Sequence, residues 1–416
     1  MGMTIFFQHT DIKRMNKMKD ILIIAHFTQV PGEQGNGRFW YIADMLADKN
    51  HKVEVVTTQF SHRTKKHRHV KEQQMNQIKY KLTMLHEKGY LRNVSLKRFY
   101  SHYIFGSSLK SYLKKRKKPD IIYCAVPSLD AAYVAAQYAK ENKIRFTIDI
   151  QDLWPEAFKM VFNMPFVSDL LFYPMNKKAN YIYRTADEII AVSETYKNRA
   201  LTVNNKCKGL SVFLGTDLVY FDKCSQEILV NKPEDEIWLT YIGTLGHSYD
   251  INFIIDALSN LKDQGINNIK FVVMGDGPLK SRFEEYAKVK KIHAEFTGRL
   301  NYEEMVGILK SCDIAVNPIR SNSAGSIINK VGDYAAAGLP VLNTQESQEY
   351  QDLISNYNAG INCENGDLDN LAESLLTLYS DSKLRKKLGE NNRKLAEEKF
   401  DRNKTYPKLI SKILLG

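Results

Sequence analysis

Asn317–Asn343, NPIRSNSAGSIINKVGDYAAAGLPVLN, puts a strand end, a loop of small polar residues, a helix and a second strand into one short span. Asp313–Asn317 (DIAVN) predicts a short strand, Ser321–Ser326 a loop, and Ile327–Ala337 a helix. Gly338-Leu339-Pro340 is the stop before the strand Val341-Leu342. A strand–loop–helix turn collects ligands at the carboxyl end of its strand. The first N–H groups of a helix have no intrahelical acceptor and favour anions. Those of Ser326 to Asn329 are therefore expected to face an anion, with Lys330 and Arg320 as nearby cations and Asp333 one turn further on. A diphosphate with a sugar on either side fits this set. The competing reading is an ordinary amphipathic helix in an α/β domain.

The stretch resembles the signature of the large family-4 type of retaining, nucleotide-sugar-dependent glycosyltransferases of the GT-B fold. Members usually carry two acidic residues eight apart, a small-residue helix and Ala-Gly-x-Pro-Val. Ala337-Gly338-Leu339-Pro340-Val341 matches; Asp333 stands at the second acidic position and Gly325 at the first. Asn329-Lys330 resembles the Asn-Lys pair of the subgroup that builds capsular and O-antigen polysaccharides. The resemblance implies an α/β chain of two facing Rossmann-like, doubly wound domains with a cleft between them and a final helix crossing back. It also implies a nucleotide sugar, UDP-linked on family frequency, held mainly by the second domain. The acceptor would be a sugar, polyprenyl-diphosphate-linked, and no metal or other cofactor would be needed.

A chain of 416 residues suggests two domains. With 44% hydrophobic and 25% charged residues, a soluble globular protein is expected. Cys124, Cys207, Cys224, Cys312 and Cys363 are widely spaced and lack metal-type pairing, which predicts buried thiols in a reducing compartment and no zinc site. No apolar run approaches the ~20 residues that span a bilayer, and Met1–Asp20 is too polar for a signal peptide. A cytoplasmic protein is expected. Its net charge of +12 is uneven, because Ser61–Lys118 holds 17 Lys and Arg against Glu72 and Glu87 alone.

Residues 1–19 read as a flexible terminus. The first domain is expected over 20–222, with strands at Ile21–Ala25, Val53–Thr57, Ile121–Ala125 and Phe146–Ile150. A linker is placed at 223–235, the second domain at 236–400, and the returning helix at 401–416. After the first strand, Gly35, Asn36 and Gly37 form a glycine loop ahead of a helix; it either approaches a ligand or merely turns the chain. The basic tract 61–118, interleaved with Tyr90, Phe99, Tyr100, Tyr103 and Phe105, reads as an insertion. A solvated face, a nucleic-acid patch and an anionic membrane surface compete for it. The membrane is favoured, as the place where a lipid-linked acceptor would be presented, and nucleic acid is not.

At the end of a later strand stand Gln151, Asp152, Trp154 and Glu156. Relatives often place a His where Gln151 stands. Asp152 is a candidate catalytic carboxylate, while Glu156 also reads as a helix-start acid after Pro155. In the second domain, Gly243, Thr244 and Gly246 follow a strand. Relatives carry an Arg and a Lys at the places of Thr244 and Tyr249 to grip the diphosphate, so backbone amides, Arg320 and Lys330 are expected to replace them. The resemblance also assigns Asn329, Lys330 and Asp152 to catalysis, Ser326 to phosphate or sugar, Asp333 to ribose hydroxyls and Arg299 to the nucleobase edge. Asp367 and Asp369 superficially suggest a metal site but are better read as helix-start acids. A nucleotide-sugar epimerase or hydrolase, or a nucleic-acid-binding protein, remains an alternative function.

Overall fold

The computed structural model describes residues 17–33, 37–93, 95–161, 165–228, 230–321, 323 and 326–415. Most of the terminus expected to be flexible lies outside them, as do Gly35 and Asn36. The chain forms two compact units, one ending at Val212 and taking in the chain again from Tyr406, the other running from Phe213 to Thr405.

In the first unit the strands are β1 (Asp20–Ile24), β2 (Lys52–Thr58), the short pair β3 (Phe60–Ser61) and β4 (Lys66–His67), β5 (Lys81–Leu85), β6 (Ile121–Val126), β7 (Arg145–Ile150), β8 (Glu188–Ala191) and β9 (Leu210–Ser211). Seven of them make one parallel sheet in the order β5-β2-β1-β6-β7-β8-β9. Helices cover both faces of such a sheet, which explains why Ile21, Leu22, Ile23 and Ile24 are all buried although they point alternately to opposite sides. Tyr406, Leu409, Ile410 and Ile413, from the helix Arg402–Leu415, join this core.

The basic tract is not an insertion into this pattern. Its β5 is an edge strand in register with β2, from Glu54 opposite Lys81 to Thr58 opposite Leu85. Its helix Leu96–Lys115 starts at Ser95, whose Oγ accepts the N–H of Arg98, and buries His102, Phe105, Leu109 and Leu113. Arg116 is paired with Glu54 (2.7 Å) and Asp20. Local charge density hid an ordinary strand-and-helix unit.

The second unit holds β10 (Ile237–Ile242), β11 (Ile269–Met274), β12 (Ala294–Gly298), β13 (Ile314–Asn317), β14 (Val341–Asn343) and β15 (Gly360–Asn362), all parallel, in the order β12-β11-β10-β13-β14-β15. The division between the units falls ahead of the linker read at 223–235, because the helix Leu218–Glu227 buries Leu218, Phe221 and Cys224 in the second core. The helix Ser382–Leu395 ends in a π turn, Ala396–Phe400. Asp367 accepts the N–H of Asn370 at 2.9 Å as the cap of Leu368–Ser380, which accounts for the Asp367/Asp369 pair. The five cysteines are free, four of them buried.

Candidate active site

Strand order reverses at β10, with β11 on one side and β13 on the other, so the connections leave in opposite directions and open a crevice at the strands' carboxyl ends. Gly243 ends β10 with φ +134° and donates its N–H to the Met274 carbonyl at 2.9 Å. Gly275 stands against it at φ +154°; a Cβ there would lie 1.8 Å from the Gly243 oxygen. The two loops can approach because residue 275 is glycine, while at Gly243 it is the positive φ that favours glycine. Gly243, Thr244, Arg299, Asn329, Lys330 and Asp333, with Met274 to Asp276 and Leu300, line a cavity of about 300 Å³.

Lys330 is the first residue of the helix Lys330–Ala337, which begins three residues later than its sequence suggests. The N–H groups of Val331 and Gly332 already reach the carbonyls of Ile328 and Asn329 at 3.3 and 3.2 Å. Two of the N–H groups in the first turn are therefore already engaged, and the Lys330 side chain adds a charge beside them. Lys330 is 7% exposed, and its Nζ makes no hydrogen bond to any described residue. Nζ lies 3.7 Å from the centroid of the Tyr241 ring and 4.0 Å from that of Tyr249. Burial holds this amine well below the usual lysine value. Burial also holds both phenols above theirs, so neither ring supplies a compensating negative charge. Ring faces attract a desolvated cation by about 2 kcal/mol, which offsets part of its lost hydration.

Asp333 sits one turn along. Its Oδ1 accepts the Thr216 hydroxyl at 3.0 Å and the Tyr302 hydroxyl at 3.1 Å. Burial raises this carboxyl above its ordinary value against the pull of those two donors. Oδ2 has no hydrogen-bond partner among the described residues, so one oxygen is anchored and the other is available at the cavity wall.

Three expected contacts are not brought here. Arg320 is exposed, with Nη2 3.4 Å from Asp250, and Gly246 lies outside the cavity lining. Ser326 is buried, its carbonyl accepting Gln345 Nε2 at 2.7 Å and its own hydroxyl without a partner among the described residues. Gln345 also belongs to a buried amide row in which Asn317 donates to Asn343 and Asn343 to Asn362, each at 2.9 Å, across β13, β14 and β15.

In the first unit the expected residues divide into two settings. Gly37, at φ +69°, starts the helix Arg38–Asp48 and donates its N–H to Gln29 Oε1 at 3.1 Å. Gln151 is turned inward, giving Nε2 to Asp149 at 2.8 Å. Glu156 starts its helix and pairs with Arg199, as a helix-start acid would. Asp152 accepts the Leu153 N–H at 2.9 Å, the Trp154 indole at 3.1 Å and the Tyr196 hydroxyl at 3.4 Å, and burial raises its carboxyl above the usual range. Trp154 stacks on His102 at 5.7 Å, with the Arg98 guanidinium 4.8 Å from its ring.

Around that stack lies a cluster that the sequence did not disclose. His26, beyond β1, bonds Ser128 through Nδ1 at 2.7 Å and Glu87 through Nε2 at 2.8 Å. Burial is outweighed at Glu87 by hydrogen bonds from His26 and Ser101, which keep the carboxyl below its usual value. Burial, with the neighbouring cation Arg98, holds His102 well below the usual histidine value. Ligand atoms of His26, Glu87 and His102 come within 4.8 Å of one another, close enough for a metal. The same cluster holds the direct His26–Glu87 bond, with the side chains of Arg98 and Lys65 nearby in an aromatic box. An aromatic cavity of about 340 Å³, lined by Phe99, Tyr103, Trp154 and Met175, adjoins His102.

Two family models cover most of the chain: glycosyltransferase family 4 over residues 38–207, and glycosyl transferases group 1 over residues 226–395. The chain belongs to the group 1 glycosyltransferases. It is 27% identical over 236 residues to an uncharacterized glycosyltransferase of Methanocaldococcus jannaschii, covering 56% of this chain and 62% of that relative, so it spans about three-fifths of that protein's length. It is 23% identical over 322 residues to the capsular polysaccharide biosynthesis glycosyltransferase CapM of Staphylococcus aureus, covering 73% of this chain and 80% of CapM. The structure of Anabaena HepE, in complex with UDP and glucose, superposes with a TM-score of 0.67 at 14% identity, covering 94% of this chain and 98% of HepE. The two parallel-sheet units are those of the GT-B glycosyltransferases.

A larger groove of about 950 Å³ on this glycosyltransferase lies at the amino-terminal end of β7, lined by Lys140, Lys143, Arg145, Arg184 and Lys206. Lys140 and Arg184 belong to last turns of the helices Leu129–Asn142 and Pro165–Thr185, where cations complement the helix dipole.

Proposed function

We propose that this protein is a retaining glycosyltransferase that moves a sugar from a nucleotide-diphosphate sugar, UDP-linked, onto a polyprenyl-diphosphate-linked sugar acceptor in surface polysaccharide assembly. The observation that carries the reading is Lys330: a buried amine with no hydrogen-bond acceptor among the described residues, at the switch point of a parallel sheet, one turn from a half-anchored carboxylate. A diphosphate supplies the acceptors that the amine lacks, and a ribose diol suits Asp333 Oδ2. Asn329 and the amide of Thr244 would complete the grip. Charge placed in advance at the leaving group is the largest catalytic contribution expected, and it needs no metal. In the retaining course the acceptor attacks on the side from which the phosphate leaves, and the phosphate takes its proton.

Asp152 is assigned to acceptor positioning. A carboxylate offers about four acceptor positions, and three are filled here, which leaves one for a sugar hydroxyl. A peripheral position on the inner face of the cell membrane is supported by exposed Leu91, Leu96, Tyr100 and Tyr103 among Lys88, Lys97 and Arg92. No helix among the described residues is long and apolar enough to cross a membrane. Nucleic-acid binding suits the tract less well, because Arg116 is engaged by two acids and Arg98 by Trp154.

Thermal stabilisation by UDP, GDP, TDP and CMP tests the donor site. Selective stabilisation by UDP is expected, and no response to any of the four would remove the assignment. Release of UDP or an epimer from a UDP-sugar without acceptor would point to a hydrolase or epimerase.

A further inference from the structure

A buried lysine ordinarily carries a carboxylate partner. Lys330 forms no ion pair with any described residue; two tyrosine rings, 5.6 Å apart and inclined at 68°, stand in its place. A carboxylate would compete with an incoming anion for the same N–H donors. A ring face attracts the charge but is a weak hydrogen-bond acceptor, so it holds the cation without consuming those donors.

Both rings are fixed. Tyr241 is a β10 residue at 0% exposure, and its hydroxyl donates to the Thr244 carbonyl at 2.8 Å. Tyr249 donates its N–H to Gly246 at 3.2 Å and is bridged to Ile319 beyond β13, which pins the loop that carries it. We propose that Tyr241 and Tyr249 are positioning residues for Lys330: their faces hold its ammonium in place of a carboxylate and leave its N–H donors to a diphosphate. The inference rests on the donor-site reading and deepens it. It turns Tyr249 from a lost contact into the support of the cation that acts instead.

The test is calorimetric titration of UDP into the wild-type protein, Tyr249→Phe and Tyr249→Leu, from neutral to mildly alkaline pH. Phe keeps the face and is expected to keep the affinity. Leu removes it and is expected to weaken binding about tenfold. A merely structural role would not move the pH dependence. Loss of a cation-stabilising face does move it, since the ammonium then gives up its proton at lower pH, and binding by the Leu variant fails earlier on the alkaline side. The other titratable groups near the amine are Tyr334, buried on the same helix, and Asp276, Arg299 and Asp333, which line the cavity. All are unchanged across the three proteins, so a shift confined to the Leu variant reports the ring. Unaltered affinity and pH profile in Tyr249→Leu would overturn the proposal, as would a Phe variant as weak as the Leu one. Failure of UDP, GDP and TDP to bind the wild type would instead remove the donor-site reading and this inference with it.

Discussion

The Nζ of Lys330 lies 3.7 Å from the centroid of the Tyr241 ring and has no hydrogen-bond acceptor among the described residues. A cation so placed lowers the stability of the ligand-free protein and becomes useful when an anion arrives. Lys330→Met is therefore expected to stabilise the free protein by about 1–3 kcal/mol while removing its response to UDP. The wild type should gain about 2.7 kcal/mol at a hundredfold excess of UDP over Kd. Melting curves with and without UDP check both halves, and a variant that is still stabilised by UDP would defeat the assignment.

The same residue sets a pH dependence. Its folded-state pKa is depressed, so between that value and the unfolded lysine value the unfolded chain binds the extra proton. Stability linked to Lys330 therefore rises with pH across that window, and the advantage of Lys330→Met should shrink as the pH approaches about 10.4. Paired melts of the two proteins along a pH series measure it; a constant difference would mean that the amine titrates normally.

Asp333 is expected to discriminate by ribose. Asp333→Asn keeps an oxygen for Thr216 and Tyr302 but replaces the available carboxylate oxygen. UDP affinity should fall by about tenfold to a hundredfold, while affinity for the 2′-deoxy nucleotide changes little. Equal losses for both nucleotides would place the carboxylate elsewhere in the site.

Lys330 and Asp333 were legible because one helix carries both, three residues apart and between a loop and a Gly-Pro stop. The parallel sheets were legible from continuous apolar runs such as Ile21–Ala25. What escaped was assembled from distant segments. His26, Glu87, His102 and Ser128 come from four separate segments of the chain, and no spacing links them. β5 was missed because KLTML lies in a basic tract and pairs on one side only. Arg320 was misplaced because sequence proximity to Lys330 does not show which way a loop side chain turns; Asp250 takes it outward. Tyr249 looked like a loss because a ring that supports a cation has no one-dimensional signature.

The membrane assignment makes a separable claim. Leu91 and Leu96 are 82% and 86% exposed and line no described cavity. Replacing both by Ser should weaken cosedimentation with vesicles rich in anionic lipid several-fold, at about 25 cal/mol per Å² of apolar surface no longer buried. UDP binding should stay unchanged. Equal partitioning of the two proteins would leave the tract a solvated face.

Arg38 provides a test confined to the first unit. Its guanidinium is buried, with Nε 2.7 Å from Asp149 Oδ2 and Nη1 donating to the Val212 carbonyl at 3.1 Å and the Tyr406 hydroxyl at 3.3 Å. Tyr123 donates its hydroxyl to the same carboxylate. Removing one member of a buried pair strands the other charge, so Arg38→Leu should cost about 3–5 kcal/mol. Tyr406→Phe removes one long hydrogen bond and keeps the ring whose centroid is 5.1 Å from the guanidinium, so it should cost about 1 kcal/mol or less. The ordering matters more than either value, because it separates the charge pair from the attachment of the last helix. Should Tyr406→Phe prove as damaging as Arg38→Leu in thermal unfolding, the hydroxyl and not the ion pair would be what holds Tyr406–Leu415 in the first core.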